Sequence, residues 1–352
     1  MGLGASQIDF IVVSIIWKWM IEIDGSYGEG GGQILRAAIS LSCLTGEAVR
    51  ISNIRANRPK PGLAAQHLKG IEAAKKLTDA EVEGLKLGSK IVVFKPGEVK
   101  SGKLRIDIGT AGSVTLILQS ILLPSLIKGC EFTISGGTDV KWSPTADYFK
   151  NVTLPALSLF GVKCEFEVLK RGYYPKGGGM VRVRTEKSTL NGFDFNDSSD
   201  SEIIEGISHC SNLPDHVARR QAEAAKALLE KQGFKAEIEV EIVRSVSTGS
   251  AITLWKDFKG GSALGERGKR AEKVGEEAAL NLANELKAEG VVDKHLADQL
   301  MVFATVANGR TSYTTTEVTL HQKSNAYVIA KFLGDVIKFD NRRVEIIGTG
   351  LL

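Results

Sequence analysis

The chain has 352 residues, 43% of them hydrophobic and 24% charged, with a formal net charge of +4. That length exceeds what one hydrophobic core usually serves, so two domains are predicted, and the balance excludes a disordered or fibrous protein. Four cysteines at least 34 residues apart form no CxxC pair, which excludes a zinc knuckle and reads as the reduced thiols of a cytoplasmic protein; the mild basic excess admits an anionic partner without requiring one.

Residues 10–17, FIVVSIIW, form an apolar run too short to span a membrane and lacking the basic start and cleavage site of a secretory signal. Residues 1–19 therefore read as an N-terminal extension, either an extra strand or the product of a start upstream of Met20, and no membrane association is expected. From Ile21 the chain reads as strand, glycine-rich turn, an apolar helix over 34–45 ended by Gly46, a second strand, a helix over 61–77 and a closing strand in KIVVFKP. LRIDIGTAGSVTLILQSILLPSLIKGC, from Leu104, repeats this pattern: Asp24 and Asp107, Gly46 and Gly129, Pro61 and Pro144 are each 83 residues apart. The second copy places helices at 114–128 and 144–160, then strands in VKCEFEVL and GGMVRVR. The repeated unit is βαβαββ, and the fold class is α+β, built of α/β layers with helices packed on sheets.

After Arg184 the polar stretch EKSTLNGFDFNDSSDSE marks a boundary. A strand, the helix DHVARRQAEAAKALLEKQ, two strands (AEIEVEIVRS and AITLWKDF) and the helix KVGEEAALNLANELKAEG follow, a βαββα order that predicts a small inserted α/β domain over 187–289. The large domain then comprises 20–186 and 290–352, with a third, divergent copy of the unit in its last part. His321 stands there at the end of a β-branched run, ahead of a polar turn and a short helix-like segment, where it is either a nucleophile or a polar residue closing a strand.

Four stretches could carry chemistry. DGSYGEGGGQILR (24–36) puts five glycines at a strand-to-helix turn, where backbone N–H groups and a helix N-terminus suit phosphate, or where a flexible turn is all that is needed. It is neither a P-loop nor a complete GxGxxG, because Gln33 stands where the last glycine belongs. Glu29 within it would repel phosphate unless a divalent cation, magnesium or manganese, lies between them. NIRANRPKPGLAAQHLKG (53–70) brings Arg55, Arg58 and Lys60 ahead of a helix with Gln66 and His67; the second copy has no arginines there, so the cations are a specialisation of the first. LADQ (296–299) sets Asp298 and Gln299 in an apolar helical stretch, which a helix surface would also explain. No Ser/His/Asp spacing and no HExxH motif accompanies His321.

DGSYGEGGGQILR, RANRPKPGLAAQHLKG, GTAGSVTLILQ, SGGTDVKWSPTADY, YPKGGGMV, ALGERGK, HLADQL and LHQKSN together resemble the RNA 3'-terminal phosphate cyclase family, in the family's order from about Ile21 to the C-terminus. The resemblance implies a large domain of three repeats resembling the C-terminal domain of a bacterial translation initiation factor, with a small inserted α/β domain. It implies an RNA 3'-phosphate substrate, ATP as co-substrate, a divalent metal and a histidine–AMP intermediate. His321 matches the nucleophile, Glu29 the metal-binding glutamate, and Arg36, Arg58 and Gln66 the phosphate-contacting residues. Asp298 and Gln299 match the pair near the histidine and nucleotide, while Pro144 and Asp147 fall in the segment implied to line the adenine pocket. His295 departs from the pattern, since an aromatic such as tyrosine can stand there in the family. Two other classes share the architecture: catalytically inactive cyclase-like proteins of ribosome assembly, and enolpyruvyl transferases. The histidine with its arginines and glutamate separates the cyclase from both, while the sequence leaves the oligomeric state open.

Overall fold

A computed structural model describes residues 20–196 and 202–352; the extension at 1–19 with its apolar run, and part of the polar boundary stretch, lie outside them. The first sheet contains β1 (Ile21–Asp24), β2 (Val49–Ser52), β3 (Glu81–Glu83) and β4 (Val92–Lys95) in the order β1-β2-β4-β3. Helices α1 (Gly32–Thr45) and α2 (Ala65–Thr78) occupy its connections. The parallel β1–β2 pair needs a crossover, which α1 supplies. Ile23, Ile51 and Val92 stand side by side across the ladder and point into the core. The second sheet runs β5-β6-β8-β7, from β5 (Gly102–Asp107), β6 (Cys130–Gly136), β7 (Cys164–Lys170) and β8 (Gly179–Thr185), with the same parallel first pair. Gly46 and Gly129, each with φ 77°, both turn the chain after their helices, the left-handed conformation that glycine adopts without a Cβ clash.

Helix α3 (Val114–Ser125) is buried along its whole length except at Gln119, because α1 and α2 both pack on it. The next helical segment is broken into α4 (Ala146–Tyr148), a π-turn (Phe149–Thr153) and α5 (Leu154–Leu159). A third sheet, β13-β15-β14, follows α8 (Lys294–Val306) and is formed by β13 (Arg310–Thr314), β14 (Ile337–Asp340) and β15 (Arg343–Ile347). Residues 190–195 run parallel to the β13 segment through bridges Asn191–Asn308 and Asp194–Ser312. Leu190 and Phe195 belong to the larger hydrophobic core, although the residues around them are polar in sequence.

The smaller body has its own core, around Ile204, Leu254 and Leu282. Its elements are β9 (Ile203–Ser211), α6 (His216–Lys231), β10 (Lys235–Val243), β11 (Gly249–Lys256), β12 (Lys259–Leu264) and α7 (Ala271–Lys287), with sheet order β10-β9-β11-β12. The order is βαβββα, so the expected βαββα lacked one strand. β12 escaped notice because it carries Gly260 and Gly261, which lower strand propensity; a Cβ at either would collide with Tyr148 or with the α7 backbone. Asp293 ties the bodies together at the head of α8: its carboxylate accepts from Tyr148 Oη at 2.8 Å, from the Gly260 amide at 2.8 Å and from the His295 and Leu296 amides. Among the described residues no helix is long and apolar enough to cross a membrane.

The largest local correction concerns His321. The strand stops at Thr314, and Thr319 caps α9 (Leu320–Leu333) with its hydroxyl accepting from the Gln322 amide. His321 therefore sits in the first turn of a helix rather than in a strand. The threonine run suggested β-structure, but a threonine is equally at home as an N-cap, and that role prevailed.

Candidate active site

Four chain segments converge where β1 ends. Asp24 accepts from the Ser26 amide and hydroxyl through Oδ1, at 2.9 and 2.7 Å, and starts the glycine-rich turn. Within it Gly28 and Gly30 have φ 59° and 57°, so the turn needs residues free to adopt left-handed backbone. Between them Glu29 projects outward, with Oε2 3.2 Å from Arg58 Nη2 and 3.1 Å from His321 Nε2. The other ring nitrogen of His321, Nδ1, lies 3.2 Å from Asp298 Oδ2 on α8. Asp298 is itself held from behind, since Asn325 Nδ2 donates to its carbonyl at 2.9 Å. Arg58, Glu29, His321 and Asp298 thus form one line of alternating charge.

His321, part-exposed and flanked by two carboxylates, holds its proton to a higher pH than a free histidine. The hydrogen bond to Asp298 is the main cause, burial opposes it, the charges of Asp298 and Glu29 add to it, and Arg36 works against it. An Asp298-held Nδ1–H fixes the ring and leaves Nε2 as the atom facing the glycine turn. Arg36 lies deeper. Burial pulls its guanidinium down to about 10, opposed by the Asp298 carboxylate, so it remains a cation at neutral pH. Its Nε donates to Gln119 Oε1 at 2.7 Å. These two residues are separated by 83 positions, the offset of the duplicated sequence, so the same position in each copy supplies one half of the bond.

His67 is buried behind the first turn of α1 and held neutral: burial, then the charges of Arg36 and Arg55, push it down to about 3. Its ring occupies the space where a Gly32 side chain would be. Gly32→Ala is therefore expected to displace the His67 ring and the Arg36 guanidinium next to it; site chemistry should fall by about tenfold or more while the circular dichroism spectrum stays native. Unchanged rates would show that the Arg36 position is not critical.

The other residues singled out from sequence are placed differently. Gln66, second residue of α2, lies against Gly112 and has no side-chain hydrogen bond among the described residues. The Pro144 carbonyl accepts from Thr115 Oγ1 at the head of α3, at 2.8 Å. Gln299 turns from the histidine: its Oε1 accepts from Thr153 in the π-turn and its Nε2 donates to the His295 carbonyl. Asp147 faces inward to a buried network, accepting from Arg171 at 2.6 and 3.1 Å and lying 3.3 Å from His209 Nε2 in the small body. So Glu29, Arg58, His321 and Asp298 meet directly, Arg36 acts on the last two through its charge, and Gln66, Pro144, Gln299 and Asp147 make no hydrogen bond to that line. Gln119, Asn325 and Asn57, whose Nδ2 donates to the Ser26 carbonyl, were not singled out. Gln119 alone had a visible signal, as the polar residue of an apolar helix at the repeat offset from Arg36.

Glu29 suits a divalent cation only in part by itself. It is a single, part-exposed carboxylate at a glycine turn, which fits a hard cation that takes most of its ligands from phosphate oxygens and water. Asp139, Asp147 and His209 lie close enough together to hold an ion, but the Arg171 guanidinium is already bonded to Asp147 and 3.9 Å from Asp139, and supplies that positive charge.

An α+β chain whose glycine turn, basic loop and histidine converge on one anion-friendly point defines a class, and comparison with known proteins makes it specific. The family model described as "RNA 3'-terminal phosphate cyclase" matches residues 27–339. The Archaeoglobus fulgidus protein of that name is 62% identical over 329 residues, covering 93% of this chain and all of its own. The Methanosarcina mazei and Pyrococcus furiosus proteins of the same name are 49% and 48% identical, covering 93% and 91% of this chain and 98% and 95% of theirs. A solved EPSP synthase from Acinetobacter baumannii aligns over 94% of this chain and 83% of its own at 12% identity, with a TM-score of 0.28, too low to bear on fold or function. The chain belongs to the RNA 3'-terminal phosphate cyclase family.

Proposed function

We propose that this protein converts an RNA 3'-terminal phosphate to a 2',3'-cyclic phosphate at the expense of ATP. The observation that carries the reading is His321 held between Asp298 and Glu29 beside two arginines. In the first step Nε2 of His321 attacks the α-phosphorus of ATP, the bond to pyrophosphate breaks, and AMP remains on the ring as a phosphoramidate. Nε2 must be unprotonated to attack, and Glu29 Oε2 at 3.1 Å is an acceptor within reach of that proton. Asp298 keeps Nδ1–H oriented, and Arg36 and Arg58 are placed to offset charge on the departing pyrophosphate. In the second step an oxygen of the RNA 3'-phosphate displaces the ring nitrogen, giving RNA-(3')pp(5')A. In the third, the neighbouring ribose 2'-OH attacks the activated 3'-phosphorus and AMP leaves, closing the ring with the advantage of an intramolecular reaction.

Glu29 would hold the divalent metal, Mg²⁺ or Mn²⁺, which would neutralise phosphate charge there. Gln66, at the head of α2, is assigned to phosphate, and Pro144, Asp147 and Gln299 to the walls of the nucleotide site. The recurrence of one strand order in the first two sheets, and of residues 190–195 beside β13-β15-β14, supports a large domain of three βαβαββ units like the C-terminal domain of a translation initiation factor, with the small domain inserted in the third. A cytoplasmic protein is consistent with four unpaired cysteines.

The test compares two oligonucleotides bearing a 3'-phosphate, one ending in a ribose and one in a 2'-deoxyribose. With ATP and Mg²⁺ the first should become resistant to phosphatase as its end cyclises, and the second should stop at the adenylylated stage for want of the 2'-OH. Absence of ATP-dependent phosphatase resistance in the first would overturn the reading in favour of a catalytically inactive relative.

A further inference from the structure

Helix α2 extends away from Gln66 with Lys69, Ala73 and Lys76 three, seven and ten positions further on. These offsets keep all four residues on one face of the helix, and ten residues at about 1.5 Å each carry that face roughly 15 Å from the site. Opposite it stand Arg105, Ile106 and Asp107 of β5, the edge strand of the second sheet, whose outer side has no neighbouring strand. Lys69, Glu72, Ala73, Lys76, Arg105, Ile106 and Asp107 enclose a groove of about 350 Å³.

The charges in this groove are not all free. Lys69 Nζ is 2.8 Å from Glu72 Oε2, and Asp107 Oδ1 accepts from the Gly109 amide at 2.9 Å, so these four groups are engaged with one another or with the backbone. Lys76 and Arg105 are exposed, one on each side, and neither has an ion-pair partner among the described residues. Two unmatched cations, Lys76 of α2 and Arg105 of β5, line the groove from opposite sides, on the helix whose first turn carries Gln66 and which the basic loop of Arg55, Arg58 and Lys60 precedes in the chain. A single phosphate would need only one end of it. Cations that stand roughly 15 Å along α2 from Gln66 suit a chain of phosphates rather than one.

Resting on the cyclase reading, we propose that the groove between α2 and β5 is the track of the RNA strand on the 5' side of the reacting end, with Lys76 and Arg105 meeting upstream phosphates. The track reads no sequence, because its free groups are cations suited to the backbone, and the enzyme then distinguishes RNA ends by length and strandedness more than by base identity. A minimal substrate ends before Lys76 and gains nothing from it.

The experiment uses the double variant Lys76→Glu/Arg105→Glu of the full chain and two substrates with 3'-phosphates, a dinucleotide and a longer single-stranded oligoribonucleotide. For the longer substrate KM should rise about tenfold, and the slope of log affinity against log salt should shrink by about 1.4, or about 0.7 for each lost phosphate contact. Dinucleotide turnover and the labelling of the protein by α-labelled ATP should not change. An unaltered KM and salt slope for the longer RNA would overturn the track and leave the groove to some other acidic ligand. Should the charge reversal also impair the dinucleotide, Lys76→Gln/Arg105→Gln gives the same comparison without new repulsion. If the wild type cyclises neither substrate, the cyclase reading fails separately, and fluorescence anisotropy of the longer RNA on both proteins still decides whether the groove binds it.

Discussion

His321→Ala is expected to remove all acid-labile, alkali-stable label that the protein acquires from α-labelled ATP, and to lower cyclisation by at least about 10³-fold. The loss should be specific to chemistry, because His321 is part-exposed on the first turn of α9 and its ring packs on carboxylates rather than on the core. Thr319 caps the helix independently of it, so the thermal midpoint should stay within a few degrees. Asp298→Asn separates the two functions of the pair: the nucleophile is kept, the carboxylate that orients Nδ1–H is lost, and labelling should slow by about 10²-fold without disappearing. A His321→Ala protein that still takes up acid-labile label would place the nucleophile elsewhere and sink the mechanism. A folded wild type that binds ATP and takes up no label would move the protein to the catalytically inactive class.

The second large effect is on stability and lies in the buried network between the two bodies. Arg171 is almost fully buried and holds Asp147 with two hydrogen bonds, stands 3.9 Å from Asp139 and reaches Glu241 at 2.6 Å. Arg171→Met leaves two buried carboxylates facing His209 with no guanidinium. Stripping one partner from such a network costs about 3–5 kcal/mol, which should lower the midpoint by roughly 4–7 °C. Differential scanning calorimetry gives the answer: an unshifted endotherm would show that the network contributes nothing to stability.

His209 adds a pH signature. Burial and Arg171 push the imidazole pKa down, but Asp139 and Asp147 outweigh them and its net shift is upward. The stability it contributes is therefore fully present below the ordinary histidine value of about 6.5 and is lost as pH rises through the higher native value. Asp147 has the opposite sense. Burial would raise its carboxyl, yet His209 and Arg171 hold it below the usual range, so its contribution is present above about 3.9 and is lost in acid. His209→Gln should remove the alkaline loss and shrink the acid one to the part that Arg171 sustains.

Much of the large body could be read from its residues because both copies repeat their punctuation. Gly46 and Gly129 end helices for the same steric reason, and the alternation of β6, with Cys130, Phe132 and Ile134 inward, is plain in the letters. The strand-to-helix turn at 24–32 was equally legible, since five glycines there have few other uses. What could not be read was pairing over distance. Glu29 and His321 are 292 positions apart, and nothing local to either says that they touch. The same is true of Asp147, which the resemblance puts in the segment that lines a nucleotide pocket and whose bonds to Arg171 and approach to the distant His209 no local letter announces. His321 itself was misplaced in a strand because threonine serves both β-structure and helix caps. β12 was missed because Gly260 and Gly261 answer to Tyr148 and α7, which approach from other parts of the chain.

The pairing of residues 190–195 with the β13 segment has a consequence for how the protein is made. The hydroxyl of Ser312 reaches back to Asp194 across 118 positions, so the earlier segment leaves the ribosome before its partners in the third sheet are synthesised. At about 5–20 residues per second the wait is on the order of ten seconds. In that interval the first two sheets and the whole small body have all their own residues and can form, and Phe195 can meet Phe160 and Phe258, while its neighbour Tyr313 is still to come. Closure of the third sheet is therefore expected to follow the first two sheets and the small body. It also brings in α9, so the histidine joins Glu29 only after 292 further positions have been made.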